Sequence, residues 1–588
     1  MSDPTDHRNL RDAFAAQVAR QPEATALTMF RGSDAAEHES LSFAELARRA
    51  ALRAERLTAR FAPGDRVLIA LPTCTQFVEL YLACLFSGLI AVPTPPLGGS
   101  STAAERAVAI AADCSPALAV TTGDHRDALA ERLVALGLKT VLVEAAGEAG
   151  PGEAAMPTEP DLPPDTLGVL QYSSGSTDRP KGVMLSHGNI LANIRTIAEY
   201  FGLGDGPGGC GSWLPLHHDM GLFGMLTTPL MAGAPVTLMS PSDFVRRPVE
   251  YLRLMQCSGS TVTAVPDFAL DLCTRLISDR DLADLDLSQV RRICNGSEPV
   301  HAATLDAFTA RFAPAGLRPD ALSPCYGLAE VTLYVSGTRL GTPPKVLSVD
   351  RARLEDAERP EVHPVPEGQG RPLVALGAPH DIRVRIVDPA AGLAVPDGSV
   401  GEIWVSGTSI GRGYWNRPEL NDSVFGARLP EEPDTAWLRT GDLGAIVDGE
   451  VVVTGRLKEV MIVRGRNLFP QDVEREARAA HEALTGFVGA AFGIAAPDER
   501  IVVVHEVSPA VQADDLPVVA TAVQRRLSTE ADVPCRNVLL VRRGTVSRTT
   551  SGKIQRTAMR ERFLSGELPV LHAELDPQLA VIARGGAA

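Results

Sequence analysis

The sequence predicts an α/β protein. A large N-terminal domain of parallel-sheet α/β subdomains with a small β-rich subdomain is followed by a small α/β C-terminal domain. Three observations support this prediction. At 588 residues the chain is too long for a single hydrophobic core. Short apolar runs alternate with helical patterns early in the chain, and strict polar–apolar alternation replaces them after residue 375. A new compact α/β pattern begins at Glu459.

The early part of the chain alternates between helix and strand patterns. Residues 10–60 read as helix with polar breaks, since apolar side chains recur there at helical spacing. Two short apolar runs, 66–71 and 88–93, flank a helical segment, and the runs 117–121 and 140–144 repeat the strand pattern. A strand, a helix and a second strand indicate a parallel sheet with right-handed crossovers.

The later part changes character twice. Residues 381–388 and 401–407 alternate polar and apolar side chains, which predicts antiparallel strands with one solvated face. The expected divisions are an N-terminal domain over 1–455, containing an insertion at about 343–371 and a β-rich subdomain at about 375–455, a hinge at 456–458, and a C-terminal domain over 459–588.

The composition limits the classes of function. The net charge of −16 argues against nucleic-acid binding, and no apolar run approaches the ~20 residues of a membrane span. The N-terminus lacks an apolar signal core, which predicts a cytoplasmic protein. Nine cysteines without a CxxC pair favour buried thiols over a zinc site or disulfide framework, so no metal cluster is expected. Residues 525–562 carry ten basic and three acidic side chains; they form either a docking face for an acidic partner or a solvated helix face.

A glycine- and hydroxyl-rich segment, residues 172–182, has the chemistry of a phosphate site. Hydroxyls and backbone N–H groups beside a glycine can donate to phosphate oxygens, and a lysine adds a point charge. The spacing differs from that of the GxxxxGK[ST] loop, and a surface turn is the alternative. The candidate phosphate ligands are Ser173, Ser174, Gly175, Ser176, Thr177 and Lys181.

Four further motifs follow in order, at 295–299, 326–330, 439–442 with 455–456, and 551–553. Together with the hydroxyl-rich segment they resemble the acyl-adenylate-forming superfamily, which includes acyl-CoA synthetases, adenylation domains and luciferases. The resemblance implies that the hydroxyl-rich segment holds the β- and γ-phosphates of ATP. It also implies an adenine site formed by Tyr326, Gly327, Leu328 and Ala329 together with Gly296, Ser297, Glu298 and Pro299.

The same resemblance implies roles for single charged residues. Asp442 is expected to bind the ribose hydroxyls, and Arg456 to add a second contact. Glu330 is expected to bind Mg²⁺, which prefers oxygen ligands; a glutamate that interacts with a helix dipole is the alternative. Lys553 is expected to contact the α-phosphate and the carboxylate oxygen during adenylation; an ordinary surface lysine is the alternative. Lys458 is expected to be the hinge residue, about which a small, mobile α/β C-terminal domain turns between two half-reactions.

Within the superfamily, residues 212–221 resemble fatty acyl-AMP ligases. They read Ser-Trp-Leu-Pro-Leu-His-His-Asp-Met-Gly. His218 is expected to be a catalytic-site wall residue near the carboxylate and α-phosphate rather than a metal ligand; a structural histidine is the alternative. The rest of the acyl wall is expected to comprise Asp219, Met220, Gly221, Pro266 and Phe268. Asp267 stands where asparagine is common in this branch, which leaves the acyl preference open. In this branch the insertion at 343–371 is thought to restrict the domain rotation that admits CoA; an ordinary surface loop is the alternative.

The sequence therefore predicts a fatty acyl-AMP ligase. It would convert a fatty acid and ATP, with Mg²⁺, into acyl-AMP and pyrophosphate. The acyl group would then pass to the phosphopantetheine thiol of an acyl carrier protein, expected in trans and docked near residues 525–562. Two alternatives remain open: an acyl-CoA ligase on the same fold, and a nucleotide-binding regulatory relative without turnover, against which Lys553 argues.

Overall fold

The structure, a computed structural model, describes most of the chain. The described residues are 7–31, 38–98, 101–139, 141–150, 152–172, 180–203, 208–496, 498–529, 533, 535–549 and 552–583. Within these residues, no helix combines the length and apolar character that crossing a bilayer requires. Five predicted phosphate ligands lie outside the described residues: Ser173, Ser174, Gly175, Ser176 and Thr177.

A six-stranded sheet is formed by the first part of the chain. Its strands lie in the order Leu142–Ala145, Leu118–Thr121, Arg66–Ala70, Ile90–Pro93, Leu167–Tyr172 and Gly182–Ser186. The first five are mutually parallel, and the last pairs antiparallel to its neighbour. The helix Thr75–Ser87 is buried at every residue except Gln76, as expected for an apolar crossover between buried strands. The predicted parallel α/β architecture is confirmed.

An eight-stranded sheet carries many of the candidate site residues at its strand ends. Its strands lie in the order Tyr334–Gly337, Leu322–Gly327, Arg292–Asn295, Val262–Val265, Cys210–Ser212, Val236–Leu238, Thr25–Met29 and Glu39–Ser42. The inner strands are parallel, and both edge strands are antiparallel. The prediction of helix throughout residues 10–60 is wrong at Thr25–Met29 and Glu39–Ser42, which are strands. Thr25–Met29 pairs with a strand more than 200 residues away, and local periodicity cannot reveal such a partner.

Helices connect these strands. The helix His187–Phe201 begins with a capping box between Ser186 and Asn189 and ends at Gly202 in the left-handed conformation. The others in this part of the chain are Leu10–Arg20, Phe43–Thr58, Thr75–Ser87, Ser101–Cys114, Arg126–Ala135, Thr228–Ala232, Pro241–Arg246, Val249–Ser258, Asp267–Leu276, Asp279–Ala283, Ala302–Phe312, Arg351–Leu354 and Pro418–Val424, with a π-helix at Met220–Thr227.

A smaller antiparallel sheet follows. It contains Arg383–Val387, Gly401–Ser406, Glu432–Val447, Ala427–Leu429 and Glu450–Arg456. Arg383–Val387 pairs with Gly401–Ser406, which confirms the antiparallel pair predicted from alternation. A separate hairpin joins Val346–Val349 to Arg371–Val374, the two ends of the predicted insertion.

The last part of the chain packs around its own sheet and core. The four strands are Gly489–Ala496, Asp498–Glu506, Asn537–Val541 and Val570–Glu574, and a hairpin at Met461–Val463 and Arg466–Leu468 precedes them. The helices are Pro470–Arg478, Leu516–Thr529, Arg556–Leu564 and Pro577–Ile582. Six of the nine cysteines are buried, as predicted, whereas Cys257 is exposed and Cys74 and Cys325 are half-buried.

Candidate functional site

Lys181 and Glu330 lie on the same side of the site, linked by Tyr414. The Tyr414 hydroxyl donates to Glu330 Oε1 at 2.8 Å, and Lys181 Nζ lies 5.5 Å from the centroid of the Tyr414 ring. Burial lowers the pKa of Lys181; the charges of Lys458 and Arg417 act in the same direction, and that of Glu330 opposes them. The charge of Lys458, the predicted hinge residue, therefore acts on Lys181, the predicted phosphate ligand.

Glu330 is a half-buried carboxylate whose Oε1 accepts a hydrogen bond from the Tyr414 hydroxyl. It lies in the short 3₁₀ turn Ala329–Val331, immediately after Leu328. Burial raises its pKa, and the Tyr414 hydroxyl and the charge of Arg456 oppose that shift. A 3₁₀ turn of three residues has little dipole, so the helix-dipole alternative for Glu330 has weak support.

Tyr326, Asp442 and Arg456 converge, although 116 residues separate Tyr326 from Asp442. The Tyr326 hydroxyl donates to Asp442 Oδ2 at 2.8 Å, and Arg456 Nε lies 3.2 Å from Asp442 Oδ1. Asp442 and Arg456 are directly opposite each other on paired strands. Backbone pairing thus fixes the carboxylate and the guanidinium beside the tyrosine ring.

The glycines of the two adenine motifs are required by the protein's own backbone. A Cβ on Gly327 would lie 1.8 Å from the Leu333 carbonyl oxygen, and one on Gly296 would lie 2.8 Å from the Cys325 carbonyl oxygen. These contacts involve backbone atoms that cannot move aside. Close packing within the protein is therefore sufficient to explain both glycines, which the sequence had linked to adenine. Ser297, Glu298 and Pro299 follow Gly296 at the end of the strand Arg292–Asn295.

The predicted acyl wall begins at a π-helix. Asp219 precedes it and accepts a hydrogen bond from the Met220 backbone N–H at 2.8 Å. Burial raises the pKa of Asp219, and Lys553 opposes the shift. Burial also lowers the pKa of His218 well below its usual value; His217, whose ring centroid lies 4.6 Å away, and Lys553 reinforce this. Gly221 packs under Pro215, where a Cβ would lie 2.3 Å from the carbonyl oxygen.

Phe268 ties the acyl wall to the nucleotide motif. Its backbone N–H donates to Glu298 Oε1 at 2.7 Å, and its ring meets Trp213 edge-on at a centroid distance of 6.1 Å. The preceding Asp267 accepts from the His301 backbone N–H at 3.2 Å and from a threonine hydroxyl at 2.9 Å. Pro266 is buried where the strand Val262–Val265 ends. These bonds fix the wall relative to the loop at 296–299.

Lys553 reaches this site from the C-terminal part of the chain. It follows a tight turn in which Gly552 adopts a positive φ of +88°. A Cβ on Gly552 would lie 3.0 Å from Cε1 of Phe268, so this turn rests against the acyl wall. Burial lowers the pKa of Lys553, Arg456 lowers it further, and Asp219, Glu298 and Asp442 oppose the shift. The structure thus places Lys553 among residues predicted for the acyl, adenine and ribose sites.

Tyr414 and Arg417 were not predicted from the sequence. Tyr414 contacts both Lys181 and Glu330, and Arg417 pairs with Asp113, which also accepts from the Tyr172 hydroxyl at 2.7 Å. The segment Gly-Arg-Gly-Tyr at 411–414, shortly after an alternating strand, is the signal that could have identified this loop.

The predicted insertion contacts the C-terminal part of the chain. Glu355 accepts from Arg466 Nε at 3.1 Å, and its carbonyl oxygen accepts from the Asn467 backbone N–H at 2.7 Å. Arg371 Nη2 lies 2.7 Å from Asp472 Oδ2, and its guanidinium lies 5.1 Å from the centroid of the Phe469 ring. An apolar cluster joins both sides; its members include Leu347, Val349, Leu354, Val452 and Phe469.

Known proteins share this organisation over nearly the whole chain. The family described as AMP-binding enzyme matches residues 14–415. The long-chain-fatty-acid–AMP ligase FadD26 of Mycobacterium tuberculosis is 37% identical, with 96% of this chain and 98% of that protein covered. A putative fatty-acid–CoA ligase of the same organism, fadD25, is 36% identical, with 94% and 97% covered. The crystal structure of fatty acyl-adenylate ligase from Legionella pneumophila in complex with acyl adenylate and pyrophosphate matches with a TM-score of 0.74 and 30% identity, covering 97% of this chain and 99% of that one.

The family match extends over more than half of the residues, and the sequence similarity runs through both the N-terminal and the C-terminal parts. The order of the five motifs, the convergence of Tyr326, Asp442 and Lys553, and these matches agree. This chain belongs to the AMP-binding enzyme family.

Proposed function

We propose that this protein is a fatty acyl-AMP ligase. A carboxylate oxygen of the fatty acid attacks the α-phosphorus of ATP, an acyl–phosphate bond forms, the bond to the β-phosphate breaks, and pyrophosphate leaves. The observation that carries the proposal is the packing of the Lys553 turn on the acyl wall. A Cβ on Gly552 would lie 3.0 Å from Phe268 Cε1, and the Phe268 backbone N–H donates to Glu298 Oε1 at 2.7 Å. The charges of Asp219, Glu298 and Asp442 raise the pKa of Lys553 against the effect of burial. That arrangement brings a cation from one part of the chain to the boundary between the acyl and nucleotide walls.

Each residue of the site would bind one part of the substrates through its charge or its shape. Tyr326 offers a ring face for adenine, with Gly296, Ser297 and Glu298 opposite, and Asp442 would accept from the ribose hydroxyls. Lys181 would neutralise the β- and γ-phosphates together with the hydroxyl-rich segment. His218, neutral because burial lowers its pKa, would line the carboxylate path without adding charge. Lys553 would hold the carboxylate oxygen and the α-phosphate as charge shifts between them.

Glu330 has the properties required of a Mg²⁺ ligand. Mg²⁺ in nucleotide sites is commonly held by one or two carboxylates together with substrate phosphates. Glu330 supplies one half-buried carboxylate, which accepts from the Tyr414 hydroxyl and whose charge acts on the pKa of Lys181. Mg²⁺ would supply charge neutralisation of the phosphates.

Replacing Glu330 by glutamine tests this role. The side-chain shape is kept and the charge is lost, so we expect slower pyrophosphate release and a higher Mg²⁺ concentration for half-maximal rate. Tyr414→Phe, which removes only the hydrogen bond to Glu330, should change the Mg²⁺ dependence in the same direction but less. An unchanged Mg²⁺ requirement in Glu330→Gln would mean that Glu330 has a structural role and does not bind Mg²⁺.

The activity itself is tested by measuring pyrophosphate release across carboxylic acids from short to long chain. We expect release with fatty acids, dependence on ATP, and accumulation of acyl-AMP. The regulatory alternative requires that no acid support release although nucleotide still binds. The CoA ligase alternative requires rapid acyl-CoA formation by the intact protein.

We propose that the acyl acceptor is the phosphopantetheine thiol of an acyl carrier protein. Part of the basic segment 525–562 is satisfied internally, since Arg556 pairs with Glu474 and Glu459, and Arg562 donates to the Thr545 carbonyl oxygen. By contrast Arg525, Arg542, Arg543 and Arg548 are exposed. Arg542 and Arg543 lie between the strand Asn537–Val541 and the turn that carries Lys553, which makes this loop the best-placed basic surface for an acidic carrier.

Charge reversal at this loop tests the docking surface. Arg542→Glu with Arg543→Glu should slow carrier loading, most strongly at low salt, while pyrophosphate release stays near wild type. Arg280→Glu with Arg291→Glu, which makes the same change in net charge elsewhere, is the matched control. Equal loss of both half-reactions in the Arg542/Arg543 variant would assign these residues to folding or domain closure instead.

A further inference from the structure

The predicted phosphate lysine precedes a glycine that the protein holds from two sides. Lys181 is followed by Gly182, which begins the strand Gly182–Ser186 and lies directly opposite Tyr172 on the paired strand. A Cβ on Gly182 would lie 2.7 Å from Tyr172 Cζ, so the tyrosine ring covers this glycine. The Gly182 carbonyl oxygen accepts a hydrogen bond from the Trp415 backbone N–H at 2.8 Å. The backbone next to Lys181 therefore depends on the placement of both Tyr172 and Trp415.

One carboxylate connects these two supports. The Tyr172 hydroxyl donates to Asp113 Oδ2 at 2.7 Å, and the Arg417 guanidinium pairs with Asp113 Oδ1. Asp113 lies at the end of the helix Ser101–Cys114, and Arg417 is two residues after Trp415 along the chain. The contacts form a closed circuit that returns to the glycine beside the lysine, through Gly182, Tyr172, Asp113, Arg417 and Trp415.

The Trp415 side chain is tied to the same helix end. The Arg66 guanidinium lies 5.6 Å from the centroid of the Trp415 ring, and it donates to the carbonyl oxygens of the two residues that follow Asp113, at 3.1 Å and 2.7 Å. The side chains of Asp113 and Arg417 are only 9% and 30% exposed. Solvent therefore weakens this ion pair less than it weakens a pair on the open surface.

The same stretch of chain reaches the charged groups of the phosphate side. The Tyr414 hydroxyl donates to Glu330, and the Tyr414 ring lies under Lys181 Nζ. The charge of Arg417 lowers the pKa of Lys181, so the guanidinium is within electrostatic range of the ammonium group. Arg417 repels Lys181, and pairing with the Asp113 carboxylate offsets part of that repulsion.

We propose that Asp113 and Arg417 are positioning residues, which hold Lys181 where it binds the β- and γ-phosphates of ATP. They act through the two supports of Gly182, the Tyr172 ring and the Trp415 backbone. This inference rests on the proposed function, which assigns Lys181 to those phosphates. Because the pair acts on the lysine and not on the nucleotide, its loss should weaken binding of ATP and spare AMP, which lacks both phosphates.

The test is calorimetric titration of the full-length protein with ATP and with AMP, at fixed Mg²⁺ and without fatty acid. Asp113→Ala should raise the Kd for ATP by about 10-fold, the scale of one lost charge-assisted hydrogen bond, and leave the Kd for AMP within about twofold. The direction is informative, because removing a negative charge near the phosphates would by electrostatics alone tighten ATP binding. An ATP Kd that is unchanged or lower in Asp113→Ala would overturn the proposal.

Two further comparisons test whether the pair acts through the lysine. Arg417→Lys keeps a cation that can pair with Asp113 and should retain more ATP affinity than Arg417→Met. Lys181→Met should itself weaken ATP and spare AMP, and adding Asp113→Ala to it should change the ATP Kd by less than about twofold, as expected when one residue acts through another. A further loss of about 10-fold in that double variant would contradict the proposed route.

Arg412→Met is the matched control, because Arg412 lies on the same stretch of chain and its guanidinium donates to the Asp165 carbonyl oxygen at 2.7 Å. That variant should bind both nucleotides as wild type does. Equal weakening of ATP and AMP in Asp113→Ala would assign the pair to folding and overturn the proposal. If Asp113→Ala does not fold, Tyr172→Phe decides by the same comparison, since it keeps the ring over Gly182 and loses only the hydroxyl contact.

Nucleotide binding is measured here without turnover, so the two proposals fail separately. If wild type binds ATP and no acid supports pyrophosphate release, the adenylating function is contradicted, and the difference between ATP and AMP still decides the role of Asp113 and Arg417.

Discussion

Replacing Lys553 by alanine is expected to slow acyl-adenylate formation by at least ~10²-fold while the protein remains folded. The lysine is a single preorganised cation at the point where the acyl and nucleotide walls meet, and its neighbours Asp219, Glu298 and Asp442 are oriented by their own contacts. Its removal therefore leaves the site assembled but without the charge that stabilises the transition state. Pyrophosphate exchange with a fatty acid measures the loss.

The control separates charge from architecture. Lys553→Arg keeps a cation and should retain more activity than Lys553→Ala, while Lys139→Ala removes an exposed lysine far along the sequence and should behave as wild type. Thermal unfolding of all three should coincide within a few degrees, because the turn is set by Gly552 and its backbone bonds rather than by the lysine side chain. Near wild-type exchange in Lys553→Ala would remove this residue from the chemistry and revive the regulatory alternative.

The motifs predicted the charged residues of the site better than the residues that orient them. Tyr326, Asp442, Arg456 and Lys553 were each named from the sequence, and the structure brings them together through strand pairing and a turn. Tyr414 was not named, because its hydrogen bond to Glu330 spans 84 residues and depends on an irregular loop. Local patterns encode the identity of an element, whereas the neighbour of a loop is decided by tertiary packing.

The same distinction between local pattern and tertiary packing explains which strands were predicted from the sequence and which were missed. Buried runs such as 66–71 predicted strands because they are apolar on both faces. Thr25–Met29 was hidden within a helical reading, since its five residues become a strand only by pairing with Val236–Leu238.

Loosening the contacts between the segment 343–371 and the predicted C-terminal domain is expected to raise acyl-CoA formation by about 5-fold or more. We propose that the segment 343–371 braces that domain and that the domain must turn about 456–458 for CoA to enter. Arg371→Met with Arg466→Met removes the contacts to Asp472 and Glu355. Losing two partly buried charged contacts should shift the closed–open equilibrium by about 1–3 kcal/mol, or ~5- to ~150-fold in population.

The point variants are preferable to deletion of the segment. Leu347, Val349 and Leu354 pack in one apolar cluster with Val452 and Phe469, so trimming 343–371 would expose that cluster and confuse lost stability with gained rotation. Arg353→Met is the matched control, because the side chain of Arg353 pairs with Glu361 inside the segment. In the double variant pyrophosphate release should stay within about twofold of wild type, since the adenylating contacts of Lys553 do not involve Arg371 or Arg466.

A rise in acyl-CoA formation without a change in adenylation would separate the brace from the chemistry. No rise, with both variants folded, would mean that CoA is excluded at the site itself and that the contacts of the segment 343–371 are structural.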